Sequence, residues 1–334
     1  KDRFKSLFLS IQYSSRNYKT PDILGLNIES LCIDQLKNDF ASERFIICLN
    51  TMRFVELLQQ HGYKFRTLIN WNENQDIDKA LNLSFHLNFP ECWRKGYRGY
   101  VQSEFENEKI LLRCEANKNL LPDEIIVIGS YMQDQVTRFY PDTKVSIGPA
   151  LRYEHIFYDK KLTALSRKKR TLIYVALPIS LYDSEEIMSF VLKYISDHKS
   201  NMKVLIKPHP TQSNRSIQNL LKPFSNLDLV KITHRSFNEK SFHADILITG
   251  ASSIAMEAIA IGIKVLIFSS PKWLSKNPIP HKLKSKNWNE VSDYIEFKDY
   301  LNEMTTNLNV SKPQSDIFMR PTKDTVTKLF KVAK

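Results

Sequence analysis

Glycine is in short supply here: 8 of 334 residues, fewer than the 14 prolines. Neither a G-x-x-x-x-G-K-[ST] phosphate loop nor a G-x-G-x-x-G fingerprint occurs, which counts against P-loop NTPases and dinucleotide oxidoreductases. The four cysteines, Cys32, Cys48, Cys92 and Cys114, have no close pairs. That spacing argues against a zinc site and a disulfide framework, and it points to a reducing cytoplasm. No apolar run approaches the roughly 20 residues that span a bilayer. The opening "KDRFKSLFLSIQYSS" lacks the apolar core and small-residue cleavage site of a signal peptide. Because the sequence starts on Lys1 rather than Met, flanking segments are expected. RNA-recognition, zinc-finger and helix-turn-helix signatures are missing, and no repeat of solenoid length is evident.

What is present is charge of one sign. The net charge is +12, on a chain that is 42% hydrophobic and 25% charged. That composition is globular, and the basic excess favours anionic partners: phosphorylated or carboxylated substrates, nucleic acid, or an acidic membrane leaflet. A solvated basic surface is the plainer alternative, and the run from Arg167 to Arg170 reads first as a linker face.

Strand-like apolar runs alternate with helical patterns, the mark of a parallel α/β sheet. In the first half "SLFLSIQ", "RFIICLN", "FRTLIN", "EIIVIGS" and "KVSIG" read as strands. "NIESLCIDQLKNDF", "TMRFVELLQQHG" and "SYMQDQVTRFYP" read as helices. The pattern then restarts: strands "TLIYVAL", "KVLIKP", "LDLVKI", "DILITG" and "KVLIF", with helices "DSEEIMSFVLKYISDH", "SIQNLLKPF" and "SSIAMEAIAIG". Asp183 or Ser184 is the expected cap of the first of these helices. "PTKDTVTKLFKVAK" is a short amphipathic helix near the end. The expectation is two Rossmann-like domains, 1–149 and 150–334, with ligands at the carboxyl ends of the strands.

Two stretches lie at such ends. In "DILITGASSIAMEAIAIGIKVLIF" a strand stops at Thr249, Gly250 turns the chain, and Ser252 and Ser253 stand where a helix starts. Unpaired backbone N–H groups there suit an anion. Glu257, the lone charge in "SIAMEAIAI", lies one turn further in, placed to hold ribose hydroxyls while the serines hold a phosphate. The alternative is that a serine merely caps the helix and Glu257 faces water. A helix so apolar should be buried, however, and a buried charge needs a partner. In "KVLIKPHPTQ", Pro208 and Pro210 restrict the backbone on both sides of His209, delivering the imidazole in a near-fixed direction beside Lys207.

"KPHP" followed by "ITGASSIAMEA" resembles the HP and SS motifs of bacterial surface-polysaccharide glycosyltransferases with a GT-B fold, the group that uses CMP-activated Kdo or sialic acid. A similar pairing occurs in CDP-glycerol polymerases of teichoic acid synthesis. The resemblance implies a donor nucleotide in the C-terminal domain, its phosphate engaged by His209, Ser252 and Ser253. It covers the C-terminal half; the N-terminal half resembles the family only in fold order. "INWNENQDIDKAL" is similar to a W-E-N-Q-type stretch of some surface-carbohydrate transferases, with Asn72 interrupting the Trp–Glu pair. There Glu73 is a candidate general base on an acceptor hydroxyl, unless Asn72 or Asn74 caps a helix and Glu73 only decorates its first turn. Arg152, in "PALRYEHIF", could reach a carboxylate or phosphate, or make a domain salt bridge. Asp183 is an alternative catalytic carboxylate.

No D-x-D motif accompanies the sheet, Asp76 and Asp78 of "QDIDKAL" belonging to a helix, so neutralising the leaving phosphate would fall to Lys207, His209 and the helix end, with no metal and no cofactor. The expected partners are a CMP-sugar donor and an oligosaccharide or lipid-linked acceptor, in the cytoplasm or peripheral on the inner face of its membrane; no nucleic acid is expected. The rivals are a CDP-glycerol-type phosphotransferase and a non-catalytic nucleic-acid or polysaccharide-binding module.

Overall fold

The computed structural model describes residues 25–331 apart from 104–109, 139, 158–169, 199–201, 214, 217–218, 220–221, 223–228, 235–243, 273–276, 281, 284–286 and 308–316, together with Phe4, Phe8 and Gln12. Helix α1 spans Glu29–Ala41 and α2 spans Glu43–Gln60. "RFIICLN", read as a strand, lies inside α2. Ser42 explains the difference: its hydroxyl accepts from the Phe45 N–H at 3.3 Å and caps a helix that runs for 18 residues. Once nucleated, a helix extends through an apolar run at one new bond per residue, whatever the run resembles in isolation. "SLFLSIQ" lies outside the described residues except for Phe8 and Gln12, which are helical.

The first sheet is parallel, in the order β1 (Thr67–Trp71), β2 (Trp93–Arg98), β3 (Glu124–Val127), β4 (Val145–Ile147). Helix α3 (Asp76–Asn88) joins the first two strands and packs on α2. Strand β2, "WRKGYR", was not anticipated, because half of its six residues are cations. The helix expected over "SYMQDQVTRFYP" is shorter, a turn at 130–132 continuing as Gln133–Thr137.

The second sheet has β5 (Thr171–Ala176), β6 (Met202–Lys207), β7 (Val230–Ile232), β8 (Ile246–Thr249), β9 (Lys264–Phe268) and β10 (Trp288–Val291), all pairs parallel. Helix α4 (Leu181–Asp197) follows β5, α5 (Ile254–Ala260) follows β8, and α6 (Tyr294–Thr306) follows β10. The cap of α4 is Ser180, whose hydroxyl accepts from the Asp183 N–H at 3.2 Å; Asp183 and Ser184 are buried in the first turn instead. β10 and α6 were not anticipated, and "SIQNLLKPF" and Arg167–Lys169 lie largely outside the described residues. The strand order is β10-β9-β8-β5-β6-β7. The chain thus winds outward from β5 to β7, returns, and winds outward again from β8, so a switch point falls between β5 and β8.

Helix α5 is buried along Ala255, Met256, Ala258, Ile259 and Ala260, as its composition requires. It ends at Gly262, held at φ +83°, with the Ile263 N–H donating to Ala258 O at 2.9 Å and the Gly262 N–H to Ile259 O at 3.0 Å. This is a left-handed helix terminus that a Cβ disfavours. Gly262→Ala is expected to cost ~1 kcal/mol of unfolding free energy in urea melts.

Helix α7 (Lys323–Phe330) returns to the first sheet. The Met319 N–H donates to Ile128 O at 2.7 Å and the Ala150 N–H to Met319 O at 2.9 Å. Buried Lys95 of β2 donates to the carbonyls of Leu329 at 3.0 Å and Lys331 at 2.6 Å, closing the helix end. The segment after 317, counted with the second half in the sequence, therefore makes these bonds to the first. Among the described residues no helix is long and apolar enough to cross a membrane.

Candidate functional site

In open parallel sheets the crevice at a switch point is where neighbouring loops diverge and leave room for a ligand. Ala176, Lys207 and Thr249 end β5, β6 and β8 in register, with Ala176 paired to both others. The Thr249 hydroxyl donates to Ala176 O at 2.9 Å and ties two of these ends together. Beyond them opens a cavity of about 330 Å³. Its lining includes Arg152, Lys207, His209, Ser252, Ser253 and Glu257, the full set of donor-side residues singled out in the sequence. The HP and SS stretches therefore meet across β5. Glu73 lies elsewhere, beyond β1, and Asp183 does not line the cavity.

His209 is held by hydrogen bonds that the sequence did not disclose. Its N–H donates to Gln212 Oε1 at 3.2 Å. The Gln212 amide in turn donates to Pro178 O at 3.0 Å and Ser184 Oγ at 2.9 Å, anchoring the turn on the β5 loop and α4. The Thr211 N–H points at His209 Nδ1 at 3.3 Å, with Thr211 Oγ1 at 2.7 Å from the same nitrogen. A backbone N–H can only donate, so the lone pair sits on Nδ1 and the neutral ring carries its proton on Nε2.

Burial first, and the Lys207 charge second, hold His209 below its ordinary value of 6.5. The imidazole is thus neutral at pH 7 and offers a hydrogen bond without a charge. The charge of an anion bound here would oppose the Lys207 effect and raise the imidazole's proton affinity, so binding would take up a proton as the pH falls. The ratio of inorganic phosphate affinities, wild type over His209→Gln, is expected to rise as pH falls from about 8 to about 6. Calorimetry across that range checks it, and a flat ratio would place the imidazole away from the phosphate.

The serine turn is tight: the Ser252 N–H donates to Gly250 O at 2.8 Å, and a Cβ at Gly250 would fall 3.2 Å from Pro178 Cγ. The Ser253 side chain does not cap α5, and the Ser253 and Ile254 N–H groups have no backbone acceptor among the described residues. Glu257 has the partner that burial demanded. Its Oε2 lies 3.1 Å from His155 Nε2, in an ion pair when the ring is protonated. His155 lines the same cavity and was not among the residues expected there. It lies three residues beyond Arg152, across the kink at Tyr153 in the turn Leu151–Phe157, and both line the cavity. Beneath them Tyr153, 1% exposed, stacks on Phe318 at 4.6 Å. Burial and then the Glu257 carboxylate push its hydroxyl up to about 12.

In the first half, Glu73 accepts from Trp71 Nε1 at 2.8 Å and from Gln75 Nε2 at 3.1 Å. The cap of α3 is Gln75, whose N–H donates to Asp78 Oδ2 at 3.1 Å, so neither asparagine serves. Asn74 instead takes φ +59° and donates to Ile110 O, and Asn72 is buried against Arg98.

No protein-family model matches the chain, and no curated protein does. Solved structures do match over most of its length. The UDP-GlcNAc 2-epimerase of Neisseria meningitidis, bound to UDP-GlcNAc, superposes with a TM-score of 0.55 at 12% identity, over 94% of this chain and 93% of its own. The UDP-GlcNAc 2-epimerase of Methanocaldococcus jannaschii gives 0.56 at 8%, over 98% and 89%. A glycosyltransferase of Rickettsia africae gives 0.52 at 9%, over 87% and 81%. These likenesses establish the fold, GT-B, as the two tandem parallel sheets require.

Proposed function

We propose that the chain is a glycosyltransferase that moves a CMP-activated ulosonic acid, of Kdo or sialic-acid type, onto a surface-polysaccharide or lipid-linked saccharide. The observation that carries this reading is the cavity at the switch point, where Arg152, Lys207, His209, Ser252, Ser253 and Glu257 converge. A CMP-ulosonic donor brings a phosphodiester and a carboxylate, and the cavity has two permanent cations to meet them. Lys207, His209 and the serines take the phosphate, Arg152 the carboxylate, and Glu257 the ribose hydroxyls. In the reaction an acceptor oxygen bonds to the anomeric carbon as the bond to the phosphate oxygen breaks. The electron pair leaves with CMP, and the acceptor proton passes to Glu73. Charge developing on CMP is met by the Lys207 cation and the His209 Nε2–H, with no reorganisation needed. Residues 1–149 form the acceptor side and 150–334 the donor side, with α7 bracing the first. The basic surface keeps the enzyme at the inner leaflet, where lipid-linked acceptors sit.

A second reading is a sugar-nucleotide epimerase on a UDP-sugar. It is favoured by the UDP-GlcNAc 2-epimerases among the structural neighbours. Thermal shift against CMP, CDP, UMP, UDP and GDP separates the two. A nucleotide at about 100 times its dissociation constant stabilises the fold by ~2.7 kcal/mol. Cytidine nucleotides are expected to raise the melting temperature selectively. A response to UDP alone rejects the donor assignment in favour of the second reading.

A further inference from the structure

Trp71 is an unusual residue to leave open to water. It ends β1 with 44% of its surface exposed, at the carboxyl edge of the first sheet. Its ring nevertheless has little freedom. Nε1 donates to Glu73 Oε1 at 2.8 Å. Tyr100 lies 5.6 Å away at a 35° tilt, and Tyr97 meets it edge-on at 6.0 Å. The indole also covers the backbone of Gly99: a Cβ there would fall 2.6 Å from Trp71 Cζ3 and 2.4 Å from Tyr97 Cε1. Glycine at 99 is therefore a condition of the ring's position.

The support continues below the ring. Tyr100, 7% exposed, donates its hydroxyl to Asn72 O at 3.2 Å, and Arg98, 3% exposed, donates to Asn72 Oδ1 at 3.2 Å and to Gln102 Oε1 at 3.0 Å. Two buried side chains thus fix the segment that carries the indole. Packing on Gly99, Tyr97 and Tyr100 occupies part of the ring, and the rest is presented to solvent in one orientation. A single exposed aromatic needs no explanation, but one immobilised by a hydrogen bond, two rings and a glycine does.

We propose that Trp71 is the platform on which a pyranose ring of the acceptor stacks, with Glu73 and Gln75 at its rim taking the sugar's hydroxyls. The inference rests on the glycosyltransferase reading and names the residue that receives its saccharide. The electron-rich face of an indole attracts the polarised C–H groups on the apolar side of a sugar, while the equatorial hydroxyls turn outward to polar partners. Glu73 supplies those partners on a carboxylate already oriented by Trp71 Nε1 and Gln75 Nε2. The location also fits. Tyr97, in ring contact with Trp71, donates its hydroxyl to Pro149 O at 2.7 Å and accepts from the Leu151 N–H at 3.3 Å, one residue before Arg152 of the donor cavity.

The test uses the full chain and saturation-transfer NMR with oligosaccharides ending in galactose, glucose, N-acetylglucosamine or Kdo, at millimolar concentration. The wild type is expected to transfer saturation to the C–H face of one terminal ring. Trp71→Ala is expected to weaken that binding roughly tenfold or more, and Trp71→Phe, which keeps a ring without the Nε1 donor, to retain part of it. The CMP thermal shift is expected to be the same in all three proteins. No saccharide binding by the wild type, or equal binding by the alanine variant, overturns the platform. So does loss of the CMP shift in Trp71→Ala, which would make the indole a nucleobase platform. If the wild type binds a saccharide through Trp71 but responds to no nucleotide, the glycosyltransferase reading fails and the platform stands.

Discussion

His209→Ala is expected to lower turnover by roughly 100-fold or more while CMP affinity at pH 8 changes by only a few-fold. The split follows from the geometry. At pH 8 the imidazole is neutral, because burial and Lys207 both hold its proton affinity down, so it adds one hydrogen bond to ground-state binding. In the proposed transfer, negative charge gathers on the leaving phosphate as the anomeric bond breaks, and a donor fixed in place is worth more to that charge than to the bound substrate. Fixity comes from Gln212, which ties the His209 N–H to Pro178 O and Ser184 Oγ. The measurement is steady-state transfer from a CMP-sugar donor, with calorimetry for CMP. Equal losses in kcat/KM and CMP affinity would make His209 a binding group only. Unchanged turnover in a folded variant would make its double-proline frame purely structural.

The second sheet could be read from the sequence because its strands are continuous apolar runs, such as "DILITG" and "KVLIF", buried on both faces. The convergence of its candidate residues on one cavity was legible for the same reason: strand ends are easy to place when the strands are, and the polar residues just beyond them stand out. His155 escaped because its partner, Glu257, is about a hundred residues away, and a pairing of that kind leaves no local pattern. The first sheet was harder. "RFIICLN" has strand composition, yet the Ser42 cap recruits it to a helix. β10 and α6 lack a long apolar run, and "WNEV" shows only one fully buried residue.

The hidden strand β2 carries the largest expected effect on stability: Asp123→Ala is expected to cost about 3 kcal/mol or more. Cations within a strand argue against burial unless each finds a partner inside the fold, and Arg94 makes four side-chain hydrogen bonds to three residues. Its fork grips Asp123 through Nε to Oδ2 at 3.1 Å and NH2 to Oδ1 at 2.5 Å, while NH1 donates to the carbonyls of Asn82 at 3.0 Å and Asn119 at 3.3 Å. Asp123 also accepts from the Arg94 N–H at 2.8 Å, so its carboxylate holds backbone and side chain together where β2 meets β3. Removing the carboxylate leaves a guanidinium 6% exposed with its charge uncompensated, which costs more than the pair ever contributed. The estimate sits at the low end because the Asp123 side chain is 26% exposed and water can replace part of it. Arg94→Met combined with Asp123→Leu removes both charges and is expected to recover most of the loss, measured as unfolding free energy in urea. A double variant as unstable as Asp123→Ala would mean that the carbonyls of Asn82 and Asn119, stripped of their donor, govern this corner of the sheet.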